Sequence, residues 1–75
     1  MFSQEQIFEK TKDELKRLMH YVELTPEHSE IFLNQAFGVV QFVCQVMPEY
    51  EKELIELWIQ WKYECELFLK ITEQG

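Results

Sequence analysis

The sequence predicts an all-α fold, a three-helix antiparallel bundle formed by residues 1–75 as a single domain. Three observations lead to this prediction. The chain contains only two glycines and two prolines, so it has few turns and must be built from few, long elements. Apolar residues recur at helical spacing along most of the chain. Each proline stands where one helix would end and the next begin.

The first helix is expected to span about residues 3–23. Ser3 is a favourable N-cap, and Gln6 three residues later completes a capping box. Phe2 and Ile7 occupy the two positions of a hydrophobic staple. These signals together fix the start of the helix and the direction from which the chain enters it.

The core side of the first helix is an apolar stripe about 120° wide. Asp13 and Arg17 lie outside it at the i,i+4 spacing of an exposed ion pair. The stripe consists of Ile7, Phe8, Leu15, Leu18, Met19 and Val22.

The second helix is expected to span about residues 26–47, with Thr25 as its N-cap and Pro26 at its first position. Its 17 residues from Ile31 to Met47 carry no charge. The valines in this run favour a strand, but the polar positions indicate a helix. They are spaced 4, 3 and 4 residues apart, which places them on one helical stripe about 60° wide, whereas a strand would divide them between two faces. These positions are Asn34, Gly38, Gln41 and Gln45.

This uncharged run is unlike a membrane span, which needs about 20 predominantly apolar residues. Four of its 17 residues are Asn or Gln. If polar groups occupy about 60–100° of the second helix, about 260° remains apolar, against roughly 100° on a typical surface helix. Such a helix must be covered on several sides, so we expect a homodimer or a partner chain to complete the core. The expected contact residues on this helix are Val39, Phe42, Val43 and Val46.

The third helix is expected to span about residues 49–72, after a break at Pro48. An alternative is a helix that continues through Pro48 with a kink, its core completed by dimerisation. The core stripe of this helix consists of Tyr50, Leu54, Leu57, Trp58, Trp61, Cys65, Phe68 and Leu69. A second row lies behind it at strict i+4 spacing, which is a ridge of the kind that packs into a groove of another helix. This row, the second set of expected partner contacts, is Ile55, Ile59, Tyr63 and Leu67.

Composition disfavours several partners and sites. The net charge is −7, and no Lys or Arg occurs between Arg17 and Lys52, so direct binding of nucleic acid or of an anionic membrane surface is not expected. Two cysteines and an N-terminus unlike a signal peptide favour a cytoplasmic location. In an antiparallel hairpin Cys44 and Cys65 lie about 20 Å apart, too far for a disulfide. No metal or cofactor site is expected.

Two histidines and two acidic pairs are the candidates for metal binding or catalysis. His20 has too few neighbouring ligands in sequence for a metal site, and His28 stands alone near a helix start. Two ExxE pairs resemble the paired acidic motif of all-α nucleoside triphosphate pyrophosphatases, although Glu stands where the family's second motif ends in Asp. The resemblance implies Mg²⁺-dependent nucleotide hydrolysis. One chain would hold the pairs about 30 Å apart, so only a dimer could join them, and acidic residues also favour helix N-termini. The pairs are Glu27 with Glu30 and Glu53 with Glu56.

The sequence therefore predicts a small, acidic, non-enzymatic interaction module, an adaptor, inhibitor or regulatory subunit, that binds another protein or itself through apolar helix faces. One alternative is an acidic decoy that presents the carboxylates at the start of the third helix to a nucleic-acid-binding protein. A second is a dimeric Mg²⁺-dependent nucleotide hydrolase. The polar stripe also has two interpretations. It either faces solvent, or it is buried in a symmetric interface where Gly38 marks a close helix approach.

Overall fold

A computed structural model describes residues 3–74 and the side chains of residues 3–72. Within this part the protein is all-α, with three helices and no strand, which confirms the predicted fold class. The helices are α1 (Gln4–Leu24), α2 (Ser29–Val46) and α3 (Glu51–Gln74). A single turn of 3₁₀ helix precedes α2 at Pro26–His28, and another precedes α3 at Pro48–Tyr50.

The chain reverses direction at both prolines. Met47 has φ −129° and ψ 72°, outside the α region, as a residue before proline requires. Helices α2 and α3 then pack side by side through Phe37 and Trp58, whose ring centroids are 5.5 Å apart. The alternative of one helix continuing through Pro48 is therefore wrong.

Thr25 has a different role from the predicted one. Its side chain makes no capping hydrogen bond to the following turn. Instead its hydroxyl donates to the carbonyl of Tyr21 at 2.9 Å, and its backbone N–H donates to the same carbonyl at 2.9 Å. Thr25 therefore closes α1 rather than opening α2, because the 3₁₀ turn separates it from the first residue of α2.

The capping box at the start of α1 is confirmed. The Ser3 N–H donates to Oε1 of Gln6 at 2.9 Å, and the Gln6 N–H donates to Oγ of Ser3 at 3.2 Å. These bonds satisfy backbone donors that no carbonyl of the helix can reach. Phe2 lies outside the described residues, so its predicted pairing with Ile7 stays a prediction.

Arg17 pairs with a different acid from the predicted Asp13. Its Nε donates to Oε2 of Glu14 at 3.1 Å, and a second guanidinium nitrogen donates to the other carboxylate oxygen of Glu14. The guanidinium also lies over the ring of Tyr21, 5.4 Å from its centroid. The hydrogen bonds from Arg17 hold the pKa of the Glu14 carboxyl below its usual value.

The helices form an up-down-up arrangement with α1 and α3 parallel. Aromatic contacts join Phe8 to Tyr50 and Tyr21 to Phe32, each with centroids 5.6 Å apart. The Trp61 indole N–H donates to the carbonyl of Leu15 at 2.6 Å, which ties α3 to α1. The buried apolar core draws on all three helices: Leu15, Leu18, Val22, Ala36, Val40, Val43, Met47, Leu54, Trp61 and Cys65.

Candidate protein interface

The predicted ridge on α3 lies on the surface. We call it the α3 row, and its exposed fractions are 42% for Ile55, 60% for Ile59, 61% for Tyr63 and 42% for Leu67. Successive residues in a helix rotate by about 100°, so the row lies on the far side of α3 from the buried residues of this helix. The i+4 spacing extends to Ile71, which is 69% exposed and lies beyond the predicted row.

Charged side chains of both signs surround the α3 row. Lys62 and Glu66 follow Ile59 and Tyr63 on one flank, and Glu56 lies on the other. All three charged residues are exposed. An apolar centre with a charged and polar rim is the usual composition of a protein–protein contact surface.

The four predicted contact residues of α2 are divided between core and surface. Phe42 is 65% exposed and Val46 is 53% exposed. Val43 is only 8% exposed, and Val39 is half-buried against the core. Val43 is inaccessible because it lies seven residues after Ala36, which places both on the same side of α2. Ala36 is fully buried. Only Phe42 and Val46 of this set are therefore available to a partner.

Helix α2 therefore presents a surface separate from the α3 row. Phe37 is the residue of α2 that packs on Trp58 of α3. At about 100° per residue, Val46 lies roughly half a turn around the helix from Phe37, and Phe42 lies well away from it. The predicted contact residues thus form two surfaces, and the structure does not bring them together into one.

The polar stripe of α2 is exposed, and with its apolar neighbours it forms a long uncharged surface. A Cβ added at Gly38 would meet nothing within 4 Å, so among the described residues no other helix approaches closely there. Within one chain the stripe therefore faces solvent. We call this surface the α2 face, and it consists of Ile31, Asn34, Gln35, Gly38, Gln41, Phe42, Gln45 and Val46, all exposed.

The candidate residues for metal binding or catalysis are dispersed over the structure. His20 and His28 are exposed, and within the described part of the chain no three His, Cys, Asp or Glu side chains are grouped to hold a metal ion. Glu27 lies in the 3₁₀ turn before α2, Glu30 lies in the first turn of α2, and Glu53 lies near the start of α3. Because α2 is about 27 Å long at 1.5 Å per residue, one chain keeps the two acidic pairs at opposite ends.

Both cysteines have free thiols. Cys65 is fully buried, and burial raises the pKa of its thiol. Cys44 is half-buried, and its thiol pKa is also raised, first by burial and second by the nearby Glu51 carboxylate. A raised pKa leaves little thiolate near neutral pH, and the thiolate is the reactive form.

Across the described residues, no helix combines the length and the apolar character that crossing a membrane requires. No protein family, no curated protein and no solved structure matches this chain.

Proposed function

We propose that this chain is a small, acidic interaction module without enzymatic activity, an adaptor, inhibitor or regulatory subunit that binds another protein through the α3 row. One observation carries the proposal: four large apolar side chains are exposed in a continuous ridge along one helix. Burying apolar area contributes about 25 cal/mol per Å². An exposed contiguous ridge is therefore a favourable contact surface, whereas apolar side chains scattered singly would need no explanation.

The geometry of the α3 row favours a helical partner. A ridge of residues four apart fits the groove between side-chain rows of a second helix. An amphipathic helix laid along the row would cover Ile55, Ile59, Tyr63 and Leu67 with its apolar face. Its polar edges would then meet the charged side chains that flank the row.

Affinity capture from a cell extract tests the proposal with two matched variants. Ile59→Glu places a carboxylate in the middle of the α3 row. Leu24→Glu makes the same kind of change at the end of α1. The two side chains are almost equally exposed, 60% for Ile59 and 62% for Leu24. Proteins that bind through the α3 row should be retained by the wild type and by Leu24→Glu and lost with Ile59→Glu.

Circular dichroism of each variant checks that the helices remain folded. Capture that is equal for all three proteins would exclude the α3 row as the contact surface. If the wild type retains no protein above background, and a size measurement shows no self-association, the proposal of an interaction module fails.

The acidic-decoy alternative is supported by a second observation. The carboxylates at the start of α3 are all exposed, and three of them line an open recess together with Ile55 and Lys52. A protein that uses them to occupy a basic groove would bind less tightly as salt rises. Reversing their charge should abolish binding, whereas affinity that does not depend on ionic strength would exclude the decoy. The residues to reverse are Glu49, Glu51, Glu53 and Glu56.

A further inference from the structure

We infer that the α2 face is the contact surface for a second copy of this chain. The inference rests on the proposed function in one respect, that exposed apolar side chains of this protein serve as contact surfaces. It goes further because it assigns the α2 face to self-association and leaves the α3 row for a different protein. Three properties of the α2 face support a second copy over any other occupant.

The first property is the absence of charge. The chain has a net charge of −7, so two copies repel each other wherever their carboxylates approach. The outward sides of α1 and α3 carry exposed acids such as Glu9, Asp13 and Glu56. Helix α2 has no charged residue from Ile31 to its end. Between residues 31 and 46 two acidic copies can therefore meet without opposing like charges, and a basic partner would find no carboxylate among these residues to recognise. The exposed Glu30 lies one turn before Asn34, at the edge of the face.

The second property is the kind of polar group on the α2 face. A two-fold contact places a surface against an identical surface. Each side chain near the axis must therefore be able to make a favourable contact with an identical side chain. Carboxylates repel carboxylates, and ammonium groups repel ammonium groups. A side-chain amide both donates and accepts hydrogen bonds, so amides can pair with one another. The amides of the α2 face are Asn34, Gln35, Gln41 and Gln45.

The third property is the symmetric spacing of the polar stripe, whose midpoint lies between the exposed Gly38 and Gln41. The spacing of 4, 3 and 4 residues is the same in both directions along the helix. An antiparallel second copy would therefore place Asn34 opposite Gln45 and Gly38 opposite Gln41. The space above Gly38 is open, which leaves room for the longer side chain of the opposing Gln41.

Contacts among the described residues of one chain do not explain why a glycine stands at position 38, inside a helix. Apart from proline, glycine is the residue that least favours a helix interior. Its backbone has no positive φ, so any residue could adopt its conformation. Of the side chains that the structure describes, none packs where a Cβ of residue 38 would stand. If a second α2 helix crosses closely over this position, the residue there must have no side chain, and glycine meets this requirement.

Sedimentation equilibrium of the full chain, from low to high micromolar concentration, tests the inference. The wild type should change from monomer to dimer over this range. Gln41→Glu places one carboxylate on each side of the two-fold axis, about one helical turn apart along it, and it should raise the dimer dissociation constant roughly tenfold or more. Gln60→Glu makes the same change in net charge at an exposed glutamine of α3. It should leave the dissociation constant nearly unchanged.

Two results would overturn the inference. One is a strict monomer at high micromolar concentration, and the other is an equal effect of Gln41→Glu and Gln60→Glu. Circular dichroism would show that both variants keep their helices. The test is separate from that of the proposed function. A monomer that still loses its captured proteins with Ile59→Glu would overturn self-association only, and a dimer whose captured proteins do not depend on Ile59 would overturn the role of the α3 row only.

Discussion

Trp61 contributes both apolar area and a polar contact to the core. Its side chain is 5% exposed, and its indole N–H donates to the Leu15 carbonyl at 2.6 Å. Trp61→Phe removes this hydrogen bond and part of the buried ring, and should lower the free energy of unfolding by about 2 kcal/mol. Trp58→Phe is the matched control, because Trp58 is half-buried and stacks on Trp61. Urea denaturation should show the larger loss for Trp61→Phe; equal losses would mean that the hydrogen bond contributes little.

Cys65 should make stability depend on pH in the alkaline range. Burial raises the pKa of its thiol above the ordinary 9.0. A folded-state pKa above the unfolded one gives a contribution to stability that is complete below the unfolded pKa and is lost as pH rises through the folded pKa. The free energy of unfolding of the wild type should therefore decrease as pH rises above 9.0.

Cys65→Ala separates this effect from other groups that titrate at high pH. The variant is less stable at every pH because it leaves a cavity. The stability difference between wild type and variant should shrink as pH rises through the alkaline range. A difference that stays constant across the range would contradict the assignment to Cys65.

At the scale of elements, replacing Gly38 should change the stability of the protein. The sign of the change follows from helix propensity and from the open space around this residue. Gly38→Ala should raise the free energy of unfolding by about 1 kcal/mol, since alanine favours a helix and its Cβ meets no atom of the described residues within 4 Å. The measurement is urea denaturation at a concentration low enough for the protein to be monomeric. A loss of stability under these conditions would show that another part of the chain packs closely against Gly38.

The same elements show how far the sequence predicts this fold. Helical spacing and the two prolines were sufficient for the number of helices, their order and the direction changes. Local chemistry also predicted the capping box of Ser3 and Gln6 correctly. The 3₁₀ turns were missed because proline at a first helical position suits an α-helix as well as a 3₁₀ turn. Thr25 was assigned to the wrong helix for the same reason, since its hydroxyl can serve either side of the turn.

The candidate surfaces were harder to predict because exposure depends on packing between helices. The α3 row could be found, since it lies on the opposite side of its helix from an unmistakable core stripe. Val43 was placed on a contact surface because α2 is apolar on most sides and the sequence does not show which side its neighbours cover. The structure shows that Val40 and Val43 are buried in the core, while Phe42 and Val46 remain exposed.

At the scale of the whole molecule, net charge distinguishes the two kinds of association. Two copies that each carry −7 repel at long range, and salt screens this repulsion. Self-association through the uncharged α2 face should therefore become tighter as salt rises. Binding of a basic partner to the carboxylates near the start of α3 should become weaker. Dissociation constants measured at low and high ionic strength check both directions, and dimerisation that weakens with salt would contradict contact through the α2 face.

The hydrogen bond from Trp61 to Leu15 also has a consequence for the order of folding. It joins residues 46 positions apart, whereas the two helical hairpins close through turns of only a few residues. The entropy cost of closing a loop rises with its length, so the hairpins should form before α3 docks on α1. Because the indole N–H of Trp61 contacts α1, the fluorescence of a Trp58→Phe variant, in which Trp61 is the remaining tryptophan, should follow the docking of α3 on α1 rather than the formation of the helices.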